Sequence, residues 1–345
     1  AVGYVTLELS KTGSHQDAPV YFYLKFGERL EEMTDKTADY DGWLSRGWIQ
    51  EEYIHVDVLP AKVKLPRRYS FRYMELRVID TSAKFQLKID GISCDTVSAV
   101  DMESVKPVDF GDPLLNQIDL VSRKTLKECM QTVYEDGPKR DRRLWIGDLY
   151  LEALANSYSF KNHDLTKRCL YLLASLADST GWVSATVYER PEWKIQGKGT
   201  HCMDYSLLYG VALADYVKYS GDTATGRDLW PVVKRQVEVA REALDPAGIY
   251  DNELKPSWLV FDWKSDLNRD ASIQGLMTFA VDRSYELARM LGTEKEVSDW
   301  PKLTARMKSA ARNAYYDRKS GLVLSGPDKQ ASYLSVSYTH LRAHE

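Results

Sequence analysis

The apolar residues change their spacing once along this chain, and that change limits the folds it can adopt. Through residues 1–100 they alternate with other residues, as at Val5, Leu7 and Leu9, which is typical of half-buried β-strands. From about residue 118 onward they recur every three to four residues, which is typical of amphipathic helices. The sequence therefore predicts a β-domain followed by an all-α domain.

Turn residues separate the short alternating stretches of the first domain. Thr12-Gly13-Ser14, Asp41-Gly42 and Asp90-Gly91 are examples, and such residues favour tight turns between strands. Short strands at this spacing predict an antiparallel β-sandwich over residues 1–100. Residues 101–117 contain two prolines and a glycine and are expected to be a linker.

The second domain is predicted over residues 118–334 and has helical periodicity almost throughout. Helices are expected over 119–134, 145–159, 163–178, 203–220, 223–244, 270–291 and 296–316. Several, such as 149–155, are apolar on more than one face, which is expected for the inner ring of an α/α barrel or for a helical solenoid. No repeat of fixed length is visible, which disfavours the solenoid. The sequence predicts an incomplete (α/α)6 six-hairpin barrel, because seven helices are too few to close such a ring.

Composition narrows the classes of function. The net charge is −4 and the basic runs are short and interleaved with acidic residues, so nucleic-acid binding is not predicted. No stretch approaches 18 consecutive apolar residues, so no transmembrane helix is predicted. The four cysteines lack the spacing of metal ligands, and neither a metal nor an organic cofactor is expected. The 22 Tyr and 9 Trp would suit stacking on sugar rings as well as a large core.

Both ends of the sequence lead us to expect a piece of a longer protein. The chain begins with a strand-like pattern and without an initiator Met. The last residues, Ser337 to Glu345, resemble a tail that recurs on unrelated reading frames. Residues 335–345 are therefore expected to be a non-native tail outside the fold.

The segment 135–148 concentrates charge between two predicted helices. It contains four carboxylates, four cations and one Trp. We expect Asp141 near the start of the second helix, where the helix dipole stabilises a carboxylate. Asp148 would then lie about two turns later on a similar face. A salt-bridged corner between helices would explain this density of charge, and so would a site for acid and base chemistry.

This segment resembles the catalytic signature of the bacterial α-L-rhamnosidases of the six-hairpin glycosidase superfamily. That signature runs Asp-x-Pro-x-Arg-(Asp/Glu)…Gly-Asp at the junction of the first two barrel helices. The residues that match it directly are Asp136, Pro138, Arg140, Gly147 and Asp148. Upstream, Phe71-Arg-Tyr-Met-Glu-Leu resembles the Phe-Arg-Tyr strand that precedes the barrel in the same family. The resemblance covers residues 1 to about 333.

The resemblance implies a glycoside hydrolase that removes terminal rhamnose from plant or microbial glycans or glycosides with inversion. One carboxylic acid protonates the leaving oxygen, and a second carboxylate activates water. The position of the acid is occupied here by Asp141, where the family usually has Glu. Because Asp is one methylene shorter, its proton is displaced by about 1.5 Å, and such a displacement can slow a reaction on the order of 100-fold. The implied substrate contacts in the same segment are Asp136, Arg140, Trp145 and Asp148.

Three further stretches supply candidate substrate contacts. Asp262 and Trp263 resemble the Gly-Asp-Trp loop at the barrel mouth of relatives, although Phe261 replaces the Gly. A Trp beside a carboxylate can hold a pyranose ring, but it can equally be a loop residue that covers the core. In the loops before these residues, the further candidates are Glu192, Trp193 and Asp204.

The resemblance also implies what this sequence lacks. In the family the water-activating carboxylate comes from a late barrel helix, so we expect the chain alone to have no general base and no activity. One alternative is a related glycosidase or polysaccharide lyase acting on another terminal sugar, such as a uronic acid that would pair with the cations of the signature. A second is a non-catalytic carbohydrate-binding barrel, which Asp141 in place of Glu would favour. Linkage, aglycone, oligomeric state and compartment, periplasm or cytoplasm of a bacterium, are left open.

Overall fold

The computed structural model describes residues 1–42, 44–197, 199–261 and 266–331. The predicted substrate contacts Asp262 and Trp263 and the predicted tail 335–345 lie outside these residues. The chain separates into two compact units, divided between Arg142 and Arg143. Strands predominate in the first unit and helices in the second.

The first unit is built from two antiparallel sheets. Strands β1 to β7 are Val2–Gly13, Val20–Gly27, Gln50–Val56, Ala61–Lys64, Tyr69–Ser70, Tyr73–Asp80 and Phe85–Thr96. Strand β1 pairs with β4, β5 and β7, and β2 pairs with β3 and β6. A short helix α1, Glu31–Thr34, follows β2, and helix α2, Pro113–Cys129, follows the last strand.

Both sheets contribute alternate side chains to one core. Leu7 and Leu9 of β1 and Phe22 and Leu24 of β2 are at most 2% exposed and belong to one apolar cluster. A period of two places such residues on the same face of a strand, so their burial follows directly from the sequence pattern. The prediction of an antiparallel β-domain at the start of the chain is confirmed.

Helix α2 does not have the predicted bounds. It begins at Pro113 and ends at Cys129, whereas the apolar spacing predicted 119–134. The Asp112 carboxylate accepts hydrogen bonds from the first free backbone N–H groups, and Pro113 fits the first helical position, where no N–H is needed. The helix therefore begins at this capping pair, inside the predicted linker 101–117. The prediction relied on apolar spacing alone and placed the start too late.

The second unit contains six helices among the residues that the structure describes. Helices α3 to α8 are Ile146–Tyr158, His163–Ser175, Met203–Ser220, Thr223–Glu242, Asp270–Leu291 and Trp300–Tyr315. The six helices predicted from residue 145 onward are confirmed, with differences of at most four residues at their ends. Helices α5 and α7 end at Gly221 and Gly292, both in the left-handed conformation that glycine adopts without strain.

Helix α5 lies in the interior of the helical unit. It packs against α3, α6 and α7, and almost every residue from Met203 to Val217 is buried. A helix that is apolar on several sides can only be stable with neighbours on all of them. The helical unit is consistent with a six-hairpin glycosidase domain.

Two small sheets in the helical unit were not predicted. Strands β8, β9 and β10, Leu144–Trp145, Thr186–Tyr188 and Lys194–Ile195, form one, and β11, β12 and β13, Tyr316–Asp317, Leu322–Ser325 and Gln330–Ala331, form the other. Strands of two to four residues are too short to show a period. Strand β8 matters for the site, because it joins the signature segment to α3.

Candidate active site

The residues 136–142, here called the signature turn, form a tight and strained turn. The backbone N–H of Arg142 donates to the carbonyl of Gly137 at 3.3 Å. Asp141 has φ 70° and Arg142 φ 55°, both in the left-handed region. Residues other than glycine reach this region at a free-energy cost of about 1–3 kcal/mol, and such strain concentrates at functional sites.

The expected position of Asp141 on a helix is wrong. Helix α3 begins at Ile146, five residues after Asp141, so the two carboxylates Asp141 and Asp148 do not share a helix face. The intervening residues enter strand β8 before the helix starts. The apolar pattern of 149–155 gave no sign of this break, because two-residue strands carry no periodic signal.

Two of the four cations in the signature are engaged by the β-unit. Lys139 forms an ion pair with Glu32, and its Nζ lies 5.1 Å from the centre of the Trp48 ring. Arg142 donates from Nη2 to the backbone carbonyl of Arg68 at 2.9 Å. Burial, together with the nearby charge of Arg68, lowers the pKa of Arg142.

Arg68 in turn is held by a nearly buried pair. Its Nη2 lies 2.5 Å from the Glu135 carboxylate, and its Nη1 donates to the Gln131 side chain at 3.1 Å. Such charge-assisted contacts have fixed geometry. Together with the Arg142 hydrogen bond, they attach the signature turn to residues that precede it in the β-unit.

Three residues of the signature turn, Asp136, Arg140 and Asp141, are at least partly exposed. The Arg140 Nη1 atom lies 3.8 Å from Asp141 Oδ1, and Arg140 is exposed. Asp136 and Asp141 are half-buried. A carboxyl, a neighbouring guanidinium and a second carboxyl on one turn can donate a proton and bind hydroxyl groups.

The beginning of the helical unit fixes Trp145. The Arg143 guanidinium lies 5.3 Å from the Trp145 ring centre and 4.8 Å from that of Tyr188, and it donates to the Tyr188 hydroxyl at 3.0 Å and to Gln196 at 2.9 Å. Trp145 also meets the ring of Tyr205 edge-on, with centres 6.1 Å apart. The indole is thus held by protein contacts on two sides, which limits the surface it could offer to a sugar.

The helical unit contains a cavity of about 320 Å³, here called the carboxylate cavity. Its volume is in the range of about 300–1,000 Å³ that is typical of small-molecule sites. The lining residues are Gly147, Asp148, Tyr150, Leu151, Asp204, Tyr205, Leu208, Val260, Phe261 and Leu276. The structure therefore brings together two of the predicted contacts, Asp148 of α3 and Asp204 of α5.

Asp204 is the most deeply buried of the candidate residues. It is 1% exposed, and its carboxylate accepts backbone hydrogen bonds from Tyr205 at 2.9 Å and from Val260 at 2.5 Å. Burial raises its pKa to about 6, and the two backbone N–H groups oppose that rise. Asp204 therefore fastens the start of α5 to the segment 258–261 that forms the opposite wall of the cavity.

Backbone hydrogen bonds hold that wall in place. Trp258 donates to the carbonyl of His201 at 3.0 Å and accepts from the N–H of Met203 at 3.3 Å. This short parallel bridge brings Phe261 to the cavity. A phenyl ring thus lines the cavity at the position where the Gly-Asp-Trp loop of the resembling family has a Gly.

Gly147 has a packing reason for lacking a side chain. A Cβ atom at this position would come within 2.4 Å of Cζ of Tyr205. The ring of Tyr205 can therefore lie against the first turn of α3, beside Asp148, only while residue 147 is a glycine. The Gly of the signature is a requirement of cavity shape.

Two further predicted contacts, Glu192 and Trp193, are not among the lining residues of the carboxylate cavity. Glu192 and Trp193 are exposed in the connection between β9 and β10, where Glu192 pairs with Lys194 at 3.4 Å and Arg168 lies over the Trp193 ring at 5.7 Å. Conversely, the sequence did not predict the apolar residues that line the carboxylate cavity. One of them, Leu151, is 62% exposed. In sequence these residues are ordinary members of a helical period, and only the exposure of Leu151 distinguishes it from core.

Among residues 1–42, 44–197, 199–261 and 266–331, no group of three or more His, Cys, Asp or Glu side chains could hold a metal ion. No helix in the same ranges is both long enough and apolar enough to cross a membrane.

Two family profiles match the chain. The profile described as the glycosyl hydrolase family 78 alpha-rhamnosidase N-terminal domain matches residues 1–96. That described as the bacterial alpha-L-rhamnosidase 6 hairpin glycosidase domain matches residues 107–341. The chain thus combines a β-domain with a six-hairpin glycosidase domain. It belongs to the bacterial α-L-rhamnosidase family, as the signature predicted.

Solved structures agree with this assignment. A rhamnosidase from Klebsiella oxytoca with rhamnose bound has 40% sequence identity and a TM-score of 0.91, over 99% of this chain and 65% of that one. A family 78 rhamnosidase of Bacillus sp. GL1 has 20% identity and a TM-score of 0.80, over 99% of this chain and 34% of its own, and shares the fold. The chain therefore spans less than two thirds of either relative. A comparison with curated proteins finds no match.

Proposed function

We propose that this chain is part of an inverting α-L-rhamnosidase that releases terminal rhamnose from glycans or glycosides. The observation that carries the proposal is the signature turn, in which Asp141 occupies the position of the family's acid within the matched region 107–341. The similarity to a Klebsiella protein described with rhamnose bound supports the choice of sugar. In this proposal the Asp141 carboxyl protonates the glycosidic oxygen as the bond to the anomeric carbon breaks.

Within the helical unit, the carboxylate cavity is the candidate place for a sugar ring. Asp148 would accept hydrogen bonds from ring hydroxyls, and Asp204 would keep the wall around Val260 in place. Apolar side chains form much of the remaining wall, among them Leu151 and Phe261. Such a surface suits a 6-deoxy sugar such as rhamnose, whose methyl group gains by leaving water. Asp136 and Arg140 would contact hydroxyls near the bond that is cleaved.

We further propose that helices α2 to α8 form the first part of an (α/α)6 barrel. In an inverting enzyme the second carboxylate stands roughly 6.5–9.5 Å from the acid, across the sugar from the leaving group. The general base would have to stand at that distance from Asp141, on the far side of the bound sugar.

The test is hydrolysis by the complete reading frame that encodes this chain, beside the 345-residue chain itself. The substrates are p-nitrophenyl α-L-rhamnoside and matched glycosides of other sugars. Proton NMR at early times identifies the released anomer, and the proposal requires β-L-rhamnose as the first product. Release of the α anomer, or turnover of every sugar except rhamnose, would contradict it.

Two alternatives make different predictions in the same assay. A lyase or uronidase would need cations available for a sugar carboxylate, but Lys139, Arg142 and Arg143 are engaged by protein groups. An unsaturated product absorbing in the ultraviolet would nevertheless identify a lyase. A non-catalytic sugar-binding protein, favoured by Asp141 in place of Glu, would bind rhamnose saturably and release nothing from any glycoside.

A further inference from the structure

The β-unit contains a cavity of its own, which the proposed hydrolysis does not use. Its volume is about 440 Å³, within the range typical of small-molecule sites. It is lined by residues of strand β2 and of the stretches 32–40 and 48–49, and Lys139 of the signature turn also reaches it. We call it the β-unit cavity.

The charges around the β-unit cavity balance. Lys25, Lys36 and Lys139 are matched by Glu32, Asp35 and Asp39. Lys25 is only 4% exposed, donates to the Asp35 carbonyl and lies 3.7 Å from the Glu51 carboxylate. Lys139 is paired with Glu32. A cavity with equal numbers of cations and anions, two of its lysines already paired, does not select an ion of either sign.

One wall of the β-unit cavity is aromatic. The Tyr40 ring meets the Trp48 ring edge-on, with centres 5.9 Å apart and an interplanar angle of 77°. The Trp48 indole Nε1 is buried, and no acceptor for its N–H is found among the described residues. Buried indole N–H groups nearly always have a partner, so a donor left without one at a cavity wall points to an acceptor supplied from outside.

We propose that the β-unit cavity binds a neutral pyranose unit of a glycan, in addition to the sugar whose bond is cleaved. A pyranose offers apolar C–H faces to an aromatic side chain, and its hydroxyls both donate and accept. The wall contains lysine ammonium and carboxylate groups, and the hydroxyls of Thr34 and Thr37, which donate to the Glu31 carbonyl and to Glu51, retain the capacity to accept. A hydroxyl oxygen accepts the N–H of Trp48. The site would hold a second sugar unit of the substrate or a neighbouring chain.

Other small molecules fit this lining less well. A phosphate or a sulfated sugar would require a surplus of cations, which the three acids remove. A flat polyphenol would leave most of the charged groups facing an apolar ring, at the free-energy cost of burying polar groups without partners. A neutral polyol satisfies donors and acceptors together.

The experiment measures sugar binding to the 345-residue chain by saturation-transfer NMR and calorimetry. The probes are methyl α-L-rhamnopyranoside and methyl β-D-glucopyranoside, with D-glucuronate and the flavonol quercetin as competitors of other chemistry. All measurements are repeated on an Asp148→Ala variant, which impairs the carboxylate cavity and leaves the β-unit unchanged. Binding of a neutral sugar should survive in that variant.

Variants of the aromatic wall assign the site. Trp48→Ala should abolish the binding that survives Asp148→Ala, and Trp48→Phe, which removes the N–H and keeps a ring, should weaken it about 2- to 10-fold. Tyr53→Phe, an exposed aromatic on β3 of the same unit, is the matched control and should bind as the parent does. Circular dichroism checks that each variant is folded. If Trp48→Ala is unfolded, the result for Trp48→Phe decides the test.

Three results would overturn the proposal. The first is the absence of saturable sugar binding in the Asp148→Ala background. The second is equal affinity of the Trp48→Phe and parent proteins for the neutral sugars. The third is tighter binding of glucuronate or quercetin than of either neutral sugar. Because none of these measurements requires turnover, the hydrolase proposal can fail while this one stands, and the reverse is also true.

Discussion

The signature turn and the start of helix α5 each place an aspartate at a candidate site, but in opposite surroundings. Asp141 is half-buried in a strained turn, with the exposed Arg140 3.8 Å away. Asp204 is fully buried in regular structure, and backbone N–H groups bond both of its oxygens. A carboxyl that must exchange a proton with a ligand needs access, whereas one that fixes a wall needs burial and partners. We therefore propose different tasks for the two aspartates, with Asp141 as the acid and Asp204 as the residue that fixes a wall of the cavity.

This difference shows why a pKa near neutrality does not by itself identify a catalytic acid. Burial raises the pKa of Asp204 to about 6, in the range expected for an acid catalyst at neutral pH. Its oxygens nevertheless serve the backbone of Tyr205 and Val260. We propose Asp141 as the acid because it occupies the position at which the resembling family has Glu, on a turn whose backbone lies at φ 70°.

The largest expected effect separates the two aspartates kinetically. In the active full-length enzyme, Asp141→Asn should lower kcat about 10²- to 10⁴-fold on an alkyl rhamnoside, because general acid catalysis contributes that much. The loss should be smaller on p-nitrophenyl rhamnoside, whose leaving group departs without a proton. Asp204→Asn should reduce both rates by the same factor. If Asp204→Asn alone showed the leaving-group dependence, the roles assigned here would be exchanged.

The second effect concerns stability against pH. Because burial raises the pKa of Asp204 from its ordinary value of 3.8 to about 6, the folded state binds the proton more tightly than the unfolded chain. Its contribution to the free energy of unfolding is full below pH 3.8 and is lost as pH rises through 6, a change on the order of 3 kcal/mol. Urea unfolding of the parent and Asp204→Asn from pH 4 to 7 should show that difference.

The Asp204→Asn comparison has an internal check. Burial also raises the pKa of Asp215, so the parent and the variant share that source of pH dependence, and only their difference reports Asp204. Parallel stability curves for the two proteins would mean that the Asp204 carboxyl is hydrated in solution.

The third effect tests the shape of the carboxylate cavity. Gly147→Ala should destabilise the protein by about 1–2 kcal/mol, because the new Cβ would displace the Tyr205 ring from its contact with Trp145. In a Tyr205→Ala background the same change should be neutral or stabilising, since Ala is the better helix former by about 1 kcal/mol. A double-mutant cycle by thermal unfolding measures this coupling, and additive effects would exclude the proposed contact.

The smallest effect tests strain in the signature turn. Asp141→Gly should raise the free energy of unfolding by up to about 1 kcal/mol while removing the acid, because glycine adopts φ 70° without a Cβ clash. Arg140→Gly, one residue earlier and outside the left-handed region, should be neutral or destabilising. Equal destabilisation by both changes would show that the turn is not strained at residue 141.

Much of the fold followed from local patterns. The alternation at Leu7 and Leu9 predicted buried strand faces, and the glycines at 221 and 292 marked helix ends. Helix α2 was misplaced because its start depends on a cap at Asp112 more than on apolar spacing. Strands β8 to β10 were missed because they are held by pairing with each other and are too short to have a pattern.

For the candidate site, too, some features followed from the sequence and others only from the tertiary structure. The sequence by itself determined the family, and it predicted Asp136, Asp141 and Asp148 as the site residues of the proposed acid chemistry, because both depend on residue types at fixed spacing along the chain. The tertiary structure decided which carboxyl is accessible and which is buried, and that Gly147 makes room for Tyr205. It also placed Lys139 beside Trp48, over 90 residues away in sequence. Burial and hydrogen bonding are properties of neighbours in space, and no local pattern encodes them.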